Sequence, residues 1–233
     1  MWRNEEMKNK LISEFLGTYF LIFAGTGAII IDEITHSLSH IGVAITFGLV
    51  VMTLIYTFGH ISGAHFNPAV TIGFLINGDM EKKVALYYII THIIAGLAAS
   101  ITLFALFGNV ALLGSTLPRN SWLQGFVLEF ILTFFLMYVI FGCAVHGKAN
   151  KSFAGIAIGS AVGLAAMFGG PISGASMNPA RSIGPAIVSG TFQYLWVYVV
   201  ATILGASCAA VLYKINESNK DPLIEKSDVN EVA

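Results

Sequence analysis

Long apolar runs alternate with short polar connections along this chain. Six runs reach the roughly 20 residues needed to cross a bilayer. They are residues 11–31, 41–59, 84–107, 123–145, 153–170 and 194–213. Two further apolar stretches, 67–77 and 178–188, are too short to span. Each opens on Asn-Pro-Ala, and the pattern predicts half-helices that enter the membrane and turn back. Asn suits the N-cap, and Pro suits the first helical position, where its missing N–H costs nothing. The predicted fold class is therefore an all-α membrane protein, with six transmembrane helices plus two re-entrant half-helices.

The two halves repeat. Ile61-Ser62-Gly63-Ala64-His65-Phe66-Asn67-Pro68-Ala69-Val70-Thr71-Ile72-Gly73 aligns with Ile172-Ser173-Gly174-Ala175-Ser176-Met177-Asn178-Pro179-Ala180-Arg181-Ser182-Ile183-Gly184, with nine of thirteen positions identical. Glu14-Phe15 in the first span matches Glu129-Phe130 in the fourth. Glu129 lies 115 residues after Glu14, and Asn178 lies 111 after Asn67. Each half thus holds three spans and one half-helix. Three is odd, so the second half enters from the opposite side, giving an inverted repeat of about 11–107 and 123–213. The half-helix N-termini Asn67-Pro68-Ala69 and Asn178-Pro179-Ala180 then meet near the midplane. Irregular backbone at that depth survives only where it lines a cavity or is buried in protein.

Charge orients the spans. Arg3, Lys8, Lys10, Lys82, Lys83, Lys148, Lys151, Lys214, Lys220 and Lys226 fall on one side, ten of the twelve Lys and Arg. That side should be cytoplasmic. Residues 1–10 are then a cytoplasmic N-terminus and 214–233 a cytoplasmic polar tail. The tail from Asn216 on reads as mobile, with Ser218 and Ser227 open to modification. Met1 to Lys10 is polar and leads straight into a full span, so no cleavable signal is expected. The chain is 56% hydrophobic and 11% charged with a net charge of -1, which argues against a nucleic-acid partner. Cys143 and Cys208 lie in apolar runs and read as buried packing residues. Gly155, Gly159 and Gly163 recur every four residues in the fifth span, spacing that lets helix backbones approach closely.

Few residues carry chemistry. Asn67 and Asn178 can each cap a half-helix with the carboxamide oxygen and donate N–H into a pore. Two helix N-termini at one point add about half a positive charge each, which disfavours cations and protons. Arg181 is a charge in an apolar setting, costly enough to imply a functional role. It lies on the outer side of the asparagines, where it can line a constriction. Glu14 and Glu129 read as buried acceptors for the loop before each half-helix. The alternative is a coupling carboxylate in a secondary transporter. Gly63, Ala64 and His65, with Gly174, Ala175 and Ser176, form loops of small residues that can expose a ladder of carbonyls. No motif for a metal, a cofactor or a covalent step is evident, so an enzyme is not expected.

These residues resemble those of the aquaporin (major intrinsic protein) family over nearly all of residues 8–214. The double Asn-Pro-Ala with its trailing Arg181 carries the resemblance, together with Gly59-His60-Ile61-Ser62-Gly63-Ala64-His65, Glu14 and Glu129. It implies a right-handed bundle, assembled as a homotetramer in the plasma membrane with one pore per subunit. It also implies an outer selectivity filter at Phe47, Ala166, Ala175 and Arg181. Strict water channels usually carry His at the position of Ala166, so this filter should be wider. Gly170 to Ser182 is most similar to the nodulin-26-like branch and its bacterial relatives. Plant members often have Trp or a small residue at Phe47, and glycerol facilitators typically have Asp at Ser182. The expectation is a channel for water, glycerol and neutral metalloid hydroxides such as arsenite and boric acid, closed to ions. A strict water channel is the alternative.

Overall fold

The computed structural model describes residues 4–218. Arg3, Lys220, Lys226, Ser227 and the rest of the tail beyond residue 218 lie outside the described residues. The helices are α1 (Asn4–Thr35), α2 (Ser39–Ser62), α3 (Pro68–Asn77), α4 (Lys82–Phe107), α5 (Trp122–Ile140), α6 (Ala154–Ser173), α7 (Pro179–Ser189) and α8 (Leu195–Ser218). A π-helical turn, Phe141–Val145, prolongs α5, and a 3₁₀ turn, Lys151–Phe153, leads into α6. Among the described residues six helices are long and apolar enough to cross a membrane, and α3 and α7 are the two short ones.

The two half-helices start and stop for the same reasons. Asn67 is extended at φ -155°, and its Oδ1 accepts the Ala69 N–H at 2.8 Å. Asn178 is extended at φ -153° and accepts the Ala180 N–H at 3.0 Å. Pro follows each asparagine at the first helical position. Gly78 at φ 99° and Gly190 at φ 77° close the two helices, left-handed conformations that favour glycine.

Several boundaries run past those expected from the sequence. The first helix begins at Asn4, where Glu5 and Glu6 sit in a first turn that favours negative charge, and Glu6 pairs with Lys10 at 3.2 Å. The last helix continues through Asn216 and Glu217. Asn216 donates to the Tyr138 hydroxyl at 2.7 Å, and Glu217 pairs with His146 at 3.3 Å. The reading of the tail as mobile from Asn216 is therefore corrected: its first residues are helical and anchored. The sixth helix runs through Pro171 to Ser173, beyond the expected end at 170.

Each half-helix packs across the repeat. The α3 half-helix lies mainly against α8, and α7 mainly against α4. The halves also meet where α2 crosses α6. There the backbones touch: a Cβ at Gly159 would lie 2.6 Å from Met52 Cβ and 2.7 Å from the Gly48 carbonyl oxygen. At the α4–α7 crossing, a Cβ at Gly184 would lie 2.5 Å from the Gly96 carbonyl oxygen. The outer faces are apolar, with Ile41, Leu49, Ile101, Phe104 and Leu164 exposed as a lipid-facing surface requires. Trp122 and Trp196 lie with ring centroids 5.5 Å apart and planes tilted by 49° at the starts of α5 and α8, the place of an interfacial aromatic anchor. Cys208 is exposed on this outer surface rather than buried, because it falls on the lipid side of α8; Cys143 is half-buried.

Candidate functional site

One cavity of about 980 Å³ extends deep into the bundle. It begins at the lysine-rich end among Lys10, Glu81 and Lys151, passes Asn67 and Asn178, and reaches Phe47 and Arg181. The connecting loops 63–67 and 174–178 form part of its wall. Both loops are strained in the same way. Ala64 and Phe66 adopt φ 53° and 50°, and Ala175 and Met177 adopt φ 41° and 52°. Non-glycine residues in this region cost on the order of 1–3 kcal/mol each and persist only where their surroundings hold them.

The holding groups are the two buried glutamates. Glu14 Oε1 accepts the His65 N–H at 3.0 Å, and Oε2 accepts the Phe66 N–H at 2.7 Å. Glu129 Oε1 accepts the Ser176 N–H at 2.8 Å and the Ser173 hydroxyl at 2.7 Å, and Oε2 accepts the Met177 N–H at 2.9 Å. Each carboxylate therefore binds the backbone of the residues bent into positive φ or next to them. Glu14 has a further partner that sequence reasoning missed. His92 Nε2 lies 2.7 Å from Glu14 Oε2, with both side chains fully buried. Its signal was present as a lone histidine inside an apolar run. Tyr88, one turn earlier on α4, was missed too; its hydroxyl donates to the Ser62 carbonyl at 2.8 Å and it lines the cavity.

The asparagines do more than cap. Asn67 Nδ2 donates to the Met177 carbonyl at 2.7 Å, and Asn178 Nδ2 donates to the Phe66 carbonyl at 2.9 Å. Each carboxamide thus ties its own half-helix to the loop of the other half. An NH₂ group has two N–H donors, so one remains for the cavity that both residues line. His65 Nδ1 lies 3.0 Å from the Thr71 hydroxyl, and its ring stacks on Phe74 at 4.4 Å. Gly63, Ala64, His65, Ala175 and Ser176 line the cavity. Gly174 is not among the lining residues; a Cβ there would sit 3.1 Å from Thr116 Cγ2. Phe66 and Met177, not expected from the sequence, line it instead. Pro68, Ala69, Pro179 and Ala180 are buried behind it.

At the far end Phe47, Ala166, Ala175 and Arg181 come together around the same cavity. Arg181 is 2% exposed, and its Cζ lies 5.4 Å from the centre of the Phe47 ring. Its Nη1 donates to the Gly114 carbonyl at 2.6 Å, while the buried Nε has no partner among the described residues. A left-handed turn presents that carbonyl, with Ala111, Leu112 and Leu113 at φ 48°, 50° and 54°. Ser182, next to Arg181, joins Ser176 at 2.6 Å and Thr116 at 2.8 Å, which seats the long loop between the halves against α7. Among the described residues no group of three His, Cys, Asp or Glu could hold a metal ion.

Six spans, two half-helices whose starts face each other and a cavity through their meeting point define a membrane channel built on an inverted repeat. The family model described as MIP, Major intrinsic protein, matches residues 1–213. Nodulin-26 of Glycine max is 46% identical over 218 residues, covering 93% of this chain and 80% of its own length. The "Probable aquaporin NIP-type" of Nicotiana alata is 48% identical over 218 residues, with the same shares. The solved structure titled as the aquaglyceroporin from Plasmodium falciparum superposes with a TM-score of 0.78 at 26% identity, over 89% of this chain and 96% of that one. The chain belongs to the major intrinsic protein family. It is a multi-pass membrane channel for water and small solutes, and not an enzyme.

Proposed function

We propose that this chain conducts water and small uncharged, hydroxyl-bearing solutes such as glycerol, extending to neutral metalloid hydroxides such as arsenite and boric acid, and excludes ions and protons. One observation carries this reading. Two of the four residues expected at the filter, Ala166 and Ala175, line the cavity with single methyl side chains, which narrow the path less than a ring or a long side chain would. A polyol lays its carbons on Phe47 and turns its hydroxyls to the guanidinium of Arg181, which lines the cavity beside it. A buried cation and two half-helix N-termini, each worth about half a positive charge, repel cations at successive points along the path. The aquaporin name of the Nicotiana alata relative supports water as a permeant, and the aquaglyceroporin title supports glycerol as well.

The lysine-rich end, with both termini, faces the cytoplasm of a plasma membrane in this reading, and four copies form a homotetramer with one pore each. The functional units are a pore domain, 11–213, between the cytoplasmic segments 1–10 and 214–233. Glu14 and Glu129 serve as scaffold, since each is already engaged by loop N–H donors. Proteoliposomes challenged by stopped flow with sucrose and then with glycerol test the proposal. Fast shrinkage with fast glycerol re-swelling, independent of proton and sodium gradients, supports it. Ala166→His should slow glycerol while sparing water. Fast shrinkage without re-swelling would make this a strict water channel, and gradient-dependent flux would make it a transporter.

A further inference from the structure

Pro171 creates a vacancy in the hydrogen bonding of α6. It lies inside the last turns of that helix and has no N–H for the carbonyl four residues back, which is that of Met167. The equivalent place in the first half, 111 residues earlier, is His60, which keeps its N–H. The second half therefore needs an outside donor, and one is there. His40 Nε2 lies 2.6 Å from the Met167 carbonyl oxygen. The ring rests against Gly170, where a Cβ would approach His40 Cε1 to 2.9 Å. Gly170 also precedes the proline, where a bare Cα eases the clash that disfavours a helical residue. His40 itself stands on a fixed base. Asp32 Oδ1 accepts the N–H groups of Leu38 at 3.0 Å and Ser39 at 2.7 Å, pinning the first turn of α2.

Met167 follows Ala166 directly, and the helix end it belongs to leads into Gly174 and Ala175. We infer that His40 is a positioning residue for solute selectivity: its N–H replaces the one Pro171 lacks and fixes the α6 wall that carries Ala166. The inference rests on reading Ala166 as part of the filter. Without the clamp the Met167 carbonyl turns to water and the α6 end fluctuates. A polyol that fills the filter is stopped by the narrower states, whereas water passes in all of them. The glycerol-to-water permeability ratio then falls by about two- to tenfold, the scale of one net hydrogen bond.

The test measures water and glycerol permeability of proteoliposomes per reconstituted channel. His40→Ala and His40→Phe, which keeps a ring without the N–H, should both lower the ratio. His40→Gln, whose amide nitrogen is as many bonds from Cα, should restore it. In a Pro171→Ala background residue 171 supplies its own N–H, so adding His40→Ala should change nothing further. An unchanged ratio in both His40→Ala and His40→Phe would overturn the inference, as would an equal fall in the Pro171→Ala background. Ala166→His, run in parallel, separates the two claims. If it shifts the ratio and the His40 variants do not, the filter stands and the positioning role falls. If Ala166→His leaves the ratio unchanged, the filter reading itself fails.

Discussion

Replacing Glu129 by Gln keeps the size of the side chain and removes one acceptor. The carboxylate receives three donors in the native protein: the Ser173 hydroxyl and the Ser176 and Met177 N–H groups, at 2.7 to 2.9 Å. An amide keeps one oxygen for Ser173 and Ser176 and turns its NH₂ toward Met177. A charge-assisted bond is lost and a buried N–H is left facing another donor, about 2–4 kcal/mol together. The loop it holds contains Ala175 and Met177 at positive φ, whose strain is on the order of 2–6 kcal/mol for the pair. The two magnitudes are comparable, so the loop should leave its pore-lining conformation for much of the time. Water permeability per reconstituted channel, read by stopped-flow light scattering, should fall by at least about tenfold, which corresponds to 1.4 kcal/mol. Flux should stay insensitive to a proton gradient in both wild type and variant. Native-like water flux in Glu129→Gln would refute the claim that this carboxylate holds the loop.

Three further outcomes follow from the same geometry. Gly159→Leu should abolish monodisperse protein in detergent, because its Cβ would meet Met52 Cβ and the Gly48 carbonyl at 2.6 and 2.7 Å, while Gly163→Ala, with its nearest neighbours at 3.5 Å, should be tolerated; equal behaviour of the two on gel filtration would count against tight backbone packing of α2 on α6. Asn178→Asp replaces the donor to the Phe66 carbonyl by an acceptor and adds negative charge to the path, so water flux should drop and a cation leak should emerge in planar-bilayer recordings. Wild-type flux should resist mercurials, since Cys208 faces outward and Cys143 does not line the cavity, whereas Ala175→Cys should be blocked and recover with a thiol reductant. Strong block of the wild type that survives Cys143→Ser with Cys208→Ser would contradict the thiol assignment.

Much of the molecule is local enough to be legible in its sequence. Span length follows from the thickness of hydrocarbon a helix must cross, so apolar runs reported all six crossings. The half-helices were legible because an N-cap and a first-turn proline act within three residues. The inverted arrangement followed from counting spans between two copies of one motif. The sites of the paired glutamates were visible as acids in apolar runs. Their pairing with the loop before each half-helix was read from their symmetric placement; the individual donors and His92 were not, since Glu14 lies 51 residues from His65 and 78 from His92 in the chain.

The tertiary structure alone decided how the halves lock together. Asn67 donates to Met177 and Asn178 to Phe66 across 110 and 112 residues, and no local pattern encodes a bond to a carbonyl, which every residue possesses. The same holds for Gly114, whose carbonyl fixes Arg181, and for Met167, whose carbonyl is taken by His40. Residue types and spacing determined the spans, the starts of the two half-helices and the acids and base within the membrane, because those depend on solvation and on neighbours along the chain. The partners of backbone carbonyls, the strained loop conformations and the side of a helix that meets lipid depend on which distant segments come together, and only packing decides that.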